Sequence, residues 1–231
     1  MKVHSVILPT VVLAAAAAAA PVPIAADLAG WRLFAFEGKA ANRYRATAEG
    51  GIEVASAGSV SLLYHDVAPD MARTPCLAWR WRVDVSMPPT DIARKGGDDR
   101  PVAVYVTFPY DPDEATLGER MKRVLVELSQ GHDTPGRVLV YMWGGRSPRG
   151  AVVQSPYLDS FGALVVLRPG DAPLGQWFAE EVDIARDYVR VFKRPARAPN
   201  QVAIGADSDD TGLQSLAQVV ELRFQPCGGA G

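Results

Sequence analysis

The chain has 231 residues, with 24 basic and 26 acidic side chains and a formal net charge of −2. Charge so balanced excludes a general attraction to nucleic acid. With 21 glycines and 18 prolines spread along it, the chain has little room for long regular elements.

The first 26 residues differ from the rest. Met1-Lys2-Val3-His4 is a short basic start, residues 5–20 are apolar and uncharged, and Pro21-Val22-Pro23-Ile24-Ala25-Ala26 leads to Asp27, the first acid. That order is the order of a secretory signal peptide. The expected cut follows Ala26, with a cut after Ala19 as the alternative. The rival reading is a retained anchor, since residues 5–26 are long enough to span a bilayer. Alanine richness and three prolines, Pro9, Pro21 and Pro23, argue against it. No later stretch is apolar and long enough to span. Residues 27–231 then form one domain with a loose C-terminal tail.

Strands are expected at 31–36, 44–48, 51–56 and 60–66, as a meander of four. The strongest strand signal follows. Leu77, Trp79, Trp81, Val83 and Val85 alternate with Ala78, Arg80, Arg82 and Asp84, a strict period of two. Residues 102–108 place Val102, Val104, Val106 and Phe108 on one face. Residues 138–143 group Val138, Val140 and Met142, leaving Tyr141 and Trp143 on the other face. Further strands are expected at 162–167, 201–206 and 218–224. Asp111 with Pro112 and Glu114 predicts a capped helix over 111–131, closed by Gly131. A shorter helix is expected near 183–192, with Val182, Tyr188, Val189 and Phe192 as buried candidates. Many short strands and few helices predict an all-β, antiparallel β-sandwich, jelly-roll-like, with one or two short helices.

Cys76 and Cys227 are the only cysteines. In an oxidising compartment they are expected to form one bridge.

Five segments occur in order: Trp79-Arg80-Trp81-Arg82-Val83, Gly97-Asp98-Asp99-Arg100, Val140-Tyr141-Met142-Trp143, Asp187-Tyr188 and Ala206-Asp207-Ser208-Asp209-Asp210-Thr211-Gly212. Together, over about residues 31–224, they resemble the bacterial family catalogued as domain of unknown function 3047. The resemblance implies an exported protein and carries no established reaction. The pattern is also similar, more loosely, to jelly-roll carbohydrate-binding modules.

If the three best strands share a sheet with their Val/Trp faces inward, the other face carries Arg80, Arg82, Tyr105, Tyr141 and Trp143. Aromatic faces stack sugar rings, and guanidinium groups bind carboxylate or phosphate in a planar, bidentate manner. That face, with Asp98 and Asp99 near it, is the expected ligand surface. The ligand would be a saccharide or another polar component of the cell envelope. The competing expectation is that the 111–131 helix covers the face.

Asp207, Asp209 and Asp210 lie in a turn closed by Gly212. Clustered carboxylates of this kind could hold Ca²⁺, although Gln218 stands at the twelfth position, where a helix-loop-helix calcium loop has Glu. A solvated Asp/Gly turn is the plainer reading. Asp98 or Asp99 paired with Asp207 or Asp209 would suit acid–base work on a glycosidic bond. Nucleophilic catalysis finds no support: His65 and His132 stand near no nucleophile motif, and Gly145-Arg146-Ser147-Pro148-Arg149-Gly150 is not a nucleophile elbow. The leading expectation is an exported, non-catalytic binding module. A glycan-directed hydrolase and an envelope structural protein are the alternatives.

Overall fold

The structure, a computed structural model, describes residues 19–24, 27–113, 115 and 136–228. Two sheets pack face to face. Among the described residues the first has six strands. They are β1 (Val22–Pro23), β3 (Arg43–Thr47), β4 (Gly51–Ala57), β6 (Cys76–Val85), β11 (Phe178–Asp183) and β13 (Gln214–Gln225), in the order β11-β6-β13-β4-β3. The long β13 pairs with β4 over Gln214 to Val220 and with β1 at Arg223 and Phe224. The second sheet has seven strands. They are β2 (Arg32–Ala35), β5 (Val60–Asp66), β7 (Arg100–Phe108), β8 (Arg137–Trp143), β9 (Val152–Gln154), β10 (Gly162–Arg168) and β12 (Gln201–Asp207), in the order β2-β5-β12-β7-β8-β10-β9. All pairings are antiparallel except β8 with β10, whose parallel register is reached through the 144–161 connection. A parallel pair needs such a crossover, because a tight hairpin cannot reverse the chain twice.

The core lies between the sheets. From the first sheet come Leu77, Trp79, Trp81 and Val83, all at most 1% exposed, on the alternating face that the sequence predicts. Val102, Val104, Val106 and Phe108 of β7 face them, each fully buried. The expected short helix is present as α1 (Ile184–Phe192). Asp183 caps it, accepting the Arg186 N–H at 2.9 Å, and Tyr188 docks on Phe108 with ring centroids 4.6 Å apart. Val182 and Tyr188 are buried as expected, whereas Val189 is 47% exposed. The 111–131 helix lies largely outside the described residues. At its expected start, the Asp111 side chain accepts the Asp113 N–H at 2.8 Å, as a cap would.

Three expectations need correction. Residues 31–66 do not form a meander of four: β3 and β4 make a hairpin in the first sheet, while β2 pairs with β5 in the second. The three best strands do not share a sheet, since β6 lies in the first and β7 and β8 in the second. The face of β8 is also reversed. Leu139, Tyr141 and Trp143 point into the main core, and Val138, Val140 and Met142 pack with Ile92, Tyr105 and Leu164 on the far side of the second sheet. Both faces of β8 are buried from end to end. Alternation therefore marked neither face as the inner one.

Cys76 and Cys227 are disulfide-bonded, with Cα atoms 5.0 Å apart. Register makes the bridge natural. Gln225 of β13 pairs with Cys76 at the start of β6, so the chain has only two residues to travel.

Candidate functional site

Two polar regions could bear function, on different parts of the sandwich. The first is the outer face of the six-stranded sheet. Strand alternation turns Arg80 and Arg82 outward from β6 because Trp79, Trp81 and Val83 turn inward. Arg80 pairs with Glu221 at 2.9 Å and Arg82 with Asp84 at 3.0 Å. Farther across, Arg45 pairs with Glu53 at 2.8 Å, and Gln218 donates to Glu53 at 3.4 Å. Trp177, one residue before β11, lies partly exposed among these groups. The Arg80 and Arg82 guanidinium carbons stand 5.4 and 5.0 Å from its ring centroid, within cation–π range.

The other expected members of this face are elsewhere. Tyr141 and Trp143 are fully buried in an aromatic column between the sheets: Trp79 and Tyr141 centroids lie 5.9 Å apart, Trp81 and Trp143 5.8 Å, and Trp143 and Phe178 5.4 Å. The Tyr141 hydroxyl donates to Asp187 at 3.1 Å, and burial, with Asp187 beside it, pushes the phenol well above its ordinary pKa. Tyr105 lies on the outer side of the second sheet. The shared Arg80/Arg82/Tyr105/Tyr141/Trp143 surface is therefore overturned, and only Arg80 and Arg82 remain together. Trp177 was missed because its strand does not look like one. Glu180 occupies a core-facing position in β11 and hides the alternation.

The second region is one end of the sandwich, where β12 finishes, β7 begins and the β12–β13 turn crosses. Arg100, the first residue of β7, is buried. Its Nη1 donates to the Asp98 carbonyl and, at 3.1 Å, to the Asp98 carboxylate. Its Nη2 donates to the Tyr105 hydroxyl at 2.7 Å and lies 3.5 Å from Asp207. Burial opposes its charge, but Tyr105, Asp207 and Asp98 outweigh burial and hold the guanidinium above its ordinary pKa. Asp207 is pushed up to about 8, by burial first, with Arg100 opposing and Asp209 and Asp98 adding to the rise.

Asp99 is 2% exposed. One of its oxygens accepts the Thr211 N–H at 2.8 Å, which ties the approach to β7 onto the β12–β13 turn. Asp209 binds Lys39, and Asp210 is exposed beside it. Carboxylate oxygens of Asp99, Asp209 and Asp210 all lie within 4.8 Å of one another. The acidic groups from the two parts of the sequence thus do converge, but in two subsets. Asp98 and Asp207 close on Arg100, while Asp99, Asp209 and Asp210 face each other. Asp99 joins Asp209 and Asp210, and Asp207, expected in that trio, hydrogen-bonds to Asp209 and also lies 3.5 Å from Arg100.

The family described as "Protein of unknown function (DUF3047)" matches residues 29–223. The chain belongs to the DUF3047 family. No curated protein matches it. Among solved structures it is similar to the family 11 carbohydrate-binding module of the cellulosomal cellulase Lic26A-Cel5E of Clostridium thermocellum. That match has 8% identity and a TM-score of 0.45, and covers 91% of this chain and 97% of that one. The agarase AgWH50C gives 8% identity and a TM-score of 0.36, over 90% of this chain and 26% of that one. A family 4 carbohydrate-binding module gives 10% identity and a TM-score of 0.34, over 89% and 94%. In this DUF3047 chain the two polar regions rest on their own geometry.

Proposed function

We propose that the protein is an exported, non-catalytic binding module that takes a saccharide or other polar ligand on the outer face of its six-stranded sheet, around Trp177. One observation carries the reading: a partly exposed indole stands beside two guanidinium groups on the outer sheet face. An indole offers apolar area to a sugar ring, while Arg80 and Arg82, each holding one carboxylate, keep further guanidinium N–H donors for a ligand. This favours an acidic sugar over a neutral one. Export is supported by the charge–apolar–small order of the N-terminus and by a disulfide, which persists outside a reducing compartment.

The test is a glycan array of neutral and uronate-containing oligosaccharides. Wild type is expected to bind, and Trp177→Ala is expected to lose at least about tenfold in affinity, the weight of one stacked ring with its cation–π contacts, with an unchanged melting temperature. Equal binding by the variant, or binding to no glycan, counts against the reading.

A second reading, a glycan-directed hydrolase, draws on the convergence of Asp98/Asp99 with Asp207/Asp209. Arg100 weakens it, because a buried cation between Asp98 and Asp207 occupies the oxygens an acid–base pair would use. Release of reducing ends from any polysaccharide, abolished by Asp209→Asn, would establish it.

A further inference from the structure

The end of the sandwich holds an electrostatic arrangement that the ligand face does not explain. Asp99 is buried, and its Oδ1 has no hydrogen-bond partner among the described residues. A buried carboxylate oxygen left this way carries a desolvation cost that normally demands a donor or a cation. No arginine or lysine pairs with Asp99 among the described ion pairs; Arg100, its chain neighbour, turns to Asp98, Asp207 and Tyr105. What Asp99 does face is more negative charge, the carboxylates of Asp209 and Asp210 within 4.8 Å. Three carboxylates this close repel one another, and Lys39, which pairs with Asp209, reaches it from an exposed position.

We propose that Asp99, Asp209 and Asp210 form a site for a hard divalent cation, with Ca²⁺ as the fitting ion. The donor set is all carboxylate oxygen, which suits Ca²⁺ and Mg²⁺ rather than softer metals. Ca²⁺ fits better because it tolerates irregular ligand geometry, and this trio comes from two separate segments, the approach to β7 and the β12–β13 turn. Lys39 acts as the resident counter-ion and leaves Asp209 when the metal enters. The Asp99 to Thr211 hydrogen bond already joins the two segments, so a bound cation would lock a junction that exists without it.

The experiment uses the full chain, freed of metal by chelation and then titrated with CaCl₂ and, separately, MgCl₂, following heat and melting temperature. One Ca²⁺ per chain is expected, with a dissociation constant at or below about 1 mM, the weak end for such sites. The expected rise in melting temperature is roughly 5 °C at a hundredfold excess over that constant, reversed by chelator, and Mg²⁺ should bind less tightly. Asp210→Asn, at an exposed position that leaves folding intact, should weaken Ca²⁺ at least about tenfold. Lys39→Met should tighten it by removing the competitor on Asp209. No heat and no shift at millimolar Ca²⁺ would overturn the proposal. Equal affinity in Asp210→Asn, or no gain in Lys39→Met, would overturn it as well.

Discussion

Glu180 is the residue on which the aromatic core depends most directly. Its side chain is 2% exposed, accepts the Trp81 Nε1–H at 3.1 Å, and takes Arg168 and Arg149 as charged partners. Removing the acid leaves Arg168, 16% exposed, without its partner, while water takes over Arg149, 56% exposed, so the cost lies toward the low end of the about 3–5 kcal/mol of a fully buried pair. Glu180→Ala is therefore expected to lose that much in urea unfolding, and Glu180→Gln somewhat less, since an amide oxygen can still accept from Trp81 although the charge is gone. Equal losses would mean that the charge, and not the Trp81 hydrogen bond, sets the cost. Asp187 gives a pH signature. Burial raises its pKa in the folded state, with Arg190, the Tyr141 hydroxyl and Arg186 partly opposing. The folded protein thus holds that proton more tightly than the unfolded chain does. Stability then falls as pH rises from the ordinary carboxylate range through the raised folded pKa. Asp187→Asn, which keeps an acceptor for Tyr141, should flatten that part of a stability–pH curve measured by denaturant midpoints. An unchanged slope would place the proton elsewhere.

Among the elements, β6 and β13 form the spine of the first sheet, and the disulfide clamps one end of their ladder. It closes a separation of 151 residues. The loop-entropy argument puts the gain on the order of 5 kcal/mol, with 2–5 typical of measured cases. The Cys76→Ser/Cys227→Ser double variant should lose roughly 2–5 kcal/mol by chemical denaturation while keeping its far-ultraviolet dichroism. A loss under about 1 kcal/mol would show that the unfolded chain keeps structure that already restrains it without the bridge. The strand positions themselves were readable. Residues 60–66 and 77–85 show period two and became β5 and most of β6. β11 was not readable, because buried Glu180 breaks the apolar series between Phe178 and Val182.

For the whole molecule, the N-terminal segment bears on the proposed export, because part of it belongs to the fold. Val22 and Pro23 pair with Phe224 and Arg223, and Ile24 is 7% exposed in the core, its N–H donating to the Leu222 carbonyl at 2.9 Å. A cut after Ala26 would remove β1 and that core residue; a cut after Ala19 would keep both. Mass spectrometry of the chain recovered from an exporting host is expected to give Ala20 as the first residue. A mature start at Asp27 would show that β1 is dispensable.

Alternation, turn residues and the two cysteines determined, from sequence alone, a β-sandwich with one bridge and a short helix. These are local signals, written in neighbouring residues. Only the tertiary structure decided that β6 lies opposite β7 and β8 rather than beside them, that Tyr141 and Trp143 fill the core, and that Trp177 stands with Arg80 and Arg82. It also decided that Asp99 joins Asp209 and Asp210. The physical reason is the same in each case. Period two states which residues share a face of one strand, but which strands share a sheet depends on the packing of distant segments. A functional surface needs both.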